Sequence, residues 1–133
     1  MTQKDTTLEK VFECAQLAAD QRGTDIRVLG VGHLTSYTDY FLIISATSER
    51  RVQTIARTMR SDMKEKGQLP LGVEGVESGG WALLDCGAFV VHIFYEDIRA
   101  VYDLEGLWSD AKEIKLPKAV RDAIEQPDDE EDF

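Results

Sequence analysis

The chain has 133 residues, 43% of them apolar, enough for one domain with a sizeable core. A formal charge of −10 excludes a protein held on nucleic acid by bulk positive charge, and no run approaches the roughly 20 apolar residues of a membrane-crossing helix. Residues Met1 to Asp5 lack the apolar segment of a signal peptide, and Cys14 and Cys86 have no CxxC spacing, so a cytoplasmic chain with two reduced thiols is expected.

Thr6 and Glu9 form a capping-box pattern, which predicts a first helix from about Thr7 to Arg22. Leu8, Val11, Phe12, Ala15, Ala18 and Ala19 supply its apolar face, and Gly23 a left-handed stop. Residues 25–31 read as a strand, with Ile26 and Val28 on one side and Arg27, Leu29 and Val31 on the other; Arg27 suggests an outer face or an edge. Tyr40 to Ser45 is apolar on both faces, the pattern of a central strand. Thr47 or Ser48 caps a second helix from about Glu49 to Lys66, with Val52, Ile55, Ala56, Met59 and Met63 inside. The glycine-rich segment 71–80 predicts a loop with a short strand at Leu71–Glu74. Trp81–Cys86 and Phe89–Tyr95 predict an antiparallel hairpin around Gly87-Ala88. A short helix follows from Glu96 to Leu104, ending at Gly106, and a last turn at Pro117–Ile124 with Pro117 at its first position. The stretch 122–133 holds seven acids and no base, so it reads as an acidic, unstructured tail on a domain of residues 1–121. The order of elements predicts an α+β domain whose mixed sheet has four to five strands packed with helices.

A metal-dependent nucleotidyl transfer site needs paired carboxylates, and Asp39 and Asp85 are the obvious acids. Each is alone on its strand, since Phe41 and Gly87 occupy the i+2 positions. His33, His92, Cys14 and Cys86 have no ligand spacing, so no metal and no cofactor is expected, and His92 reads as a satisfied, partly buried histidine. On the second helix Arg50, Gln53, Arg57, Arg60 and Lys64 fall within about 80° of one another, a basic stripe that could meet phosphates or water. Trp81, Tyr95, Tyr102 and Trp108, with Leu104 and Leu107, flank the hairpin and the short helix, where aromatic residues serve a core or a protein-binding surface.

Taken together, "TDYFLIISATSERRV" at 38–52, "EG" at 74–75 and "WALLDCGAFVVHIFYEDIRAVYDLEGLW" at 81–108 resemble the RsfS (iojap-related) ribosomal silencing factors. The resemblance implies a non-enzymatic binding protein. Members of that family dock on the fourteenth protein of the large ribosomal subunit and block subunit joining by their bulk; organellar relatives aid large-subunit assembly. It also implies a nucleotidyltransferase-like fold without the catalytic acids, and a homodimer when free. On this reading Trp81, Leu83 and Tyr95 are apolar anchors, and Asp39, Glu74 and Asp85 face lysine or arginine of the partner. Tyr102, Leu107 and Trp108 come next, and Arg50, Arg57, Arg60 and Lys64 touch ribosomal RNA at the periphery. Ala46 stands where the family has a glycine, so the turn after the central strand must form without positive φ. The alternative is a nucleotidyltransferase-like enzyme, active or degenerate.

Overall fold

The computed structural model describes residues 3–125. The chain runs α1 (Gln3–Asp20), β1 (Thr24–Gly30), β2 (Tyr40–Ala46), α2 (Glu49–Glu65), β3 (Gly72–Glu74), β4 (Trp81–Asp85), β5 (Phe89–Tyr95), α3 (Glu96–Tyr102), α4 (Leu104–Leu107), β6 (Lys112–Ile114) and α5 (Lys118–Glu125). The strands form one sheet in the order β3-β4-β5-β2-β1-β6. It has six strands, where the pattern of apolar residues predicts four to five. The extra one, Lys-Glu-Ile, has no strand pattern of its own; it pairs antiparallel with Val28–Gly30 and lays Ile114 against the core.

β2 is the centre of the sheet. All seven of its residues are buried, as its two-sided apolar sequence requires. It pairs antiparallel with β1 and parallel with β5, from Tyr40↔Phe89 to Ala46↔Tyr95. Ala46 stays extended in this pairing, and the turn into α2 is made by Ser48, whose hydroxyl accepts the Arg51 N–H. β4 and β5 form the predicted hairpin, with Trp81 opposite Phe94 and Asp85 opposite Val90. β1 is not an edge strand, because β6 flanks it; Arg27 lies beyond the end of β6 and is exposed.

α1 begins before the predicted capping box, so Thr6 and Glu9 lie inside it. At its other end Arg22, not Gly23, takes the left-handed conformation (φ 70°). Gly23 N–H then reaches Ala18 O (2.7 Å) and Arg22 N–H reaches Ala19 O (3.1 Å), the two bonds of a Schellman cap. Gly23 is needed for space: a Cβ there would come 2.8 Å from Ala18 O and 2.9 Å from Ile44 Cγ2. The helix predicted to run to Gly106 is split. Asp103 turns left-handed (φ 46°) and its carboxylate accepts the Gly106 N–H, ending α3 and starting α4.

The sheet has two unlike faces. Helices α1, α2 and α5 pack on one, where Val11, Ala15, Ile55, Met59 and Val120 meet Val28, Leu42, Ile44, Leu84, Val91 and Ile93. The other carries Leu29, Val31, Phe41, Ile43, Val90 and Phe94 beside Trp81 and Leu83 of β4, under Leu104 and Trp108. Each large apolar side chain taken out of water there contributes about 1.5–3 kcal/mol. Arg99 of α3 is buried and ties this second layer to the sheet. Its guanidinium donates to Glu105 Oε2 (2.6 and 3.1 Å), Ser45 Oγ (2.7 Å) and the Asp25 carbonyl. α5 carries the described chain through Asp122 to Glu125; the acidic stretch 126–133, expected to be unstructured, lies outside the described residues.

Candidate functional site

Strand β4 presents Trp81, Leu83 and Asp85 on the sheet face away from α1 and α2, while Ala82 and Leu84 between them are fully buried on the other. All three are half-buried, since α3 and α4 cover that face only in part. The Trp81 ring lies 4.9 Å from Phe94 in a stacked arrangement and 4.5 Å from Tyr102, which is half exposed. Its indole N–H donates to His92 Nδ1 at 3.1 Å. Glu74 pairs with Leu83 across β3 and β4, so the acid sits beside the leucine at the sheet's edge. Trp108 meets the edge of Phe41 (5.0 Å, 89°), and Leu107 next to it is 77% exposed. Seven of the nine predicted contact residues therefore gather on or around one open face: Trp81, Leu83, Asp85, Glu74, Tyr102, Leu107 and Trp108.

Two do not. Tyr95 follows the parity of Phe89, Val91 and Ile93 and packs against the helix-covered core, on the opposite side of the sheet from Trp81. A hydrogen bond to Asp97 raises the pKa of its phenol. Asp39 borders a separate cavity of about 350 Å³ with Gly30, Gly32, His33 and Lys112. Its backbone N–H is bonded to Ala88 O in the hairpin turn. Asp85 also caps that turn, accepting the Gly87 N–H at 2.9 Å. Among the described residues no group of three or more His, Cys, Asp or Glu is placed to hold a metal.

Tyr37 belongs to the face and has no signal in the sequence beyond being aromatic. It is 61% exposed, 6.5 Å from the Phe41 ring, and its phenol pKa is raised by partial burial and by the Asp85 carboxylate. Val101, 77% exposed on α3, is a second exposed apolar side chain that periodicity does not flag. His92 is only half satisfied. Nδ1 accepts from Trp81, so Nε2 carries the proton, and that N–H is buried without a partner among the described residues. Burial lowers its pKa to about 4, so the ring is neutral.

Four of the five residues of the basic stripe, Arg50, Arg57, Arg60 and Lys64, are exposed on the outer side of α2, while Gln53 is half-buried and donates to the Glu77 carbonyl (2.7 Å). α2 packs on the covered face of the sheet, so this stripe and Trp81 lie on opposite sides of the molecule. Cys14 and Cys86 are free thiols lining one cavity of about 270 Å³ with Met63. Burial pushes both up to about 12, which leaves them protonated and poor nucleophiles.

Residues 4–133 match the family model described as "Ribosomal silencing factor during starvation". The ribosomal silencing factor of Bacillus subtilis is 40% identical over 92 residues, which is 69% of this chain and 78% of that protein. A mouse protein named for mitochondrial assembly of the ribosomal large subunit is 31% identical over 96 residues, 70% of this chain and 42% of the mouse protein. A crystal structure of a Chromobacterium violaceum protein superposes with a TM-score of 0.71 at 34% identity, covering 76% of this chain and 85% of the other.

Proposed function

The chain belongs to the ribosomal silencing factor (RsfS) family, and from that membership we propose that it docks on the large ribosomal subunit through its open sheet face and represses translation there. The partner is the fourteenth protein of that subunit, and the bulk of the docked domain blocks subunit joining. Obstruction needs affinity and volume, and no catalysis or cofactor. A role in large-subunit assembly is compatible with the same contact and is suggested by the name of the mouse relative. The protein acts in the cytoplasm, and the same apolar face is where two free copies pair as a homodimer.

One observation carries the reading. Trp81, Leu83, Tyr102 and Tyr37 stay wholly or partly exposed on one face, with the acids Asp85 and Glu74 at its border. Large aromatic side chains beside carboxylates suit a partner with apolar pockets rimmed by lysine and arginine. The stripe on α2 points away from a partner seated on that face. Arg50, Arg57, Arg60 and Lys64 therefore meet ribosomal RNA only where RNA reaches the outer side of the docked protein.

Co-sedimentation with isolated large subunits at low salt tests this. Wild type sediments with them and slows their joining to small subunits, whereas Trp81→Ala, which removes an anchor, weakens binding by roughly 30-fold (about 2 kcal/mol). A wild type that stays in the supernatant refutes the reading.

A further inference from the structure

Position 92 is badly chosen for stability. The imidazole is buried among Phe41, Phe94 and Trp81, opposite Leu83 on one neighbouring strand and Ile43 on the other. One of its nitrogens is a buried donor without a partner among the described residues, which an apolar side chain would not leave behind. Histidine supplies one thing leucine cannot: an acceptor at Nδ1, 3.1 Å from the indole nitrogen of Trp81.

That acceptor bears on how Trp81 stands. The indole opens β4 directly after Gly79 and Gly80; it stacks on Phe94 and meets Tyr102, tilted, on a flank. The χ2 torsion of a tryptophan has broad, roughly two-fold wells, and stacking on the flat Phe94 ring does not by itself tell the two edge orientations apart. A directed N–H bond selects one before any partner arrives.

We propose that His92 is the positioning residue of the docking face: it holds the Trp81 indole in the orientation the partner recognises, and spends the indole N–H inside the protein so that Trp81 engages by its ring alone. The proposal rests on the docking function above. Pre-ordering one large side chain lowers the entropic cost of association, and its loss is worth about tenfold in affinity.

The test compares His92→Leu, His92→Asn and wild type in three measurements: thermal midpoint, solvent exchange of the Trp81 indole N–H by ¹⁵N NMR in the free protein (assigned with Trp81→Phe), and affinity for isolated large subunits. His92→Leu is expected to match or exceed the thermal midpoint of wild type, to expose the indole N–H to exchange and to dock about tenfold more weakly. Asparagine places its amide oxygen near the position of Nδ1, so His92→Asn keeps the indole protected and docks within about threefold of wild type. His92→Gln, whose amide lies nearer the place of Nε2, replaces the leucine variant if that one does not fold. Equal docking by the leucine and asparagine variants overturns the proposal, as does an indole N–H that stays protected in His92→Leu. If wild type itself does not bind large subunits, the docking function fails, and the indole exchange alone decides whether His92 positions Trp81.

Discussion

Acidification singles out His92. Its folded pKa of about 4 lies below the ordinary 6.5 because burial penalises the imidazolium. Between those values the unfolded chain binds a proton at His92 and the native chain does not, so stability falls as pH drops from 6.5 toward 4 and changes no further, through this group, below 4. Two and a half units at about 1.4 kcal/mol each give a full loss of about 3.5 kcal/mol; the part accumulated between pH 7.5 and 5 is about 2 kcal/mol. Urea unfolding of wild type and His92→Leu at pH 7.5 and 5 isolates it, since the other titrating groups are common to both. Wild type should lose about 2 kcal/mol more than the variant over that interval, with equal m-values. Parallel losses in the two proteins would refute the idea that a buried neutral imidazole is what acid attacks.

Two further substitutions probe the scaffold under the docking face. Arg99→Ala leaves the partly buried Glu105 carboxylate without its guanidinium, and should cost about 3–5 kcal/mol in chemical denaturation, with Arg99→Lys recovering only part because one ammonium cannot serve Glu105, Ser45 and Asp25 together. Gly75→Ala should destabilise by about 1–3 kcal/mol and blue- or red-shift the Trp81 fluorescence. Position 75 has φ +78°, and a methyl group there would overlap the Trp81 carbonyl. An unchanged spectrum and midpoint would show that loop 75–80 yields freely.

Much of this architecture is legible in the residues because local pattern and tertiary demand agree. The run Tyr40–Ala46 is apolar on both sides and is buried on both sides; Val52, Ile55, Ala56, Met59 and Met63 recur at helical spacing and all five are inside. The hairpin needs only Cys86-Gly87-Ala88 and two alternating runs. What escapes is non-local. Lys112–Ile114 is a strand because β1 offers it an edge, and Arg22 takes the left-handed position while the neighbouring Gly23 supplies space against Ala18 and Ile44. For the site, composition marks the aromatic residues but not the side they serve. Tyr95 and Trp81 look equivalent until the pairing of Trp81 with Phe94 fixes which residues of β5 share its face. The openness of that face follows from the stacking of α1, α2 and α5 on the other, which no single segment encodes. Glu74, by contrast, needed only its pairing with Leu83 to reach the site.

The parallel pairing of β2 with β5 sets a schedule for synthesis. Tyr40 of β2 leaves the ribosome long before its partner Phe89, and between them come α2, β3, β4 and the hairpin turn. β1 is already available and can cover one edge of β2, but the other edge of this strand, all seven of whose residues end up buried, waits with its backbone donors and acceptors unpaired until β5 is made. The nascent chain is therefore most exposed to mispairing during that interval. Arrested chains ending before Phe89 should be cleaved by protease within Tyr40–Ala46, and chains extended far enough for Phe89–Tyr95 to clear the ribosome should resist.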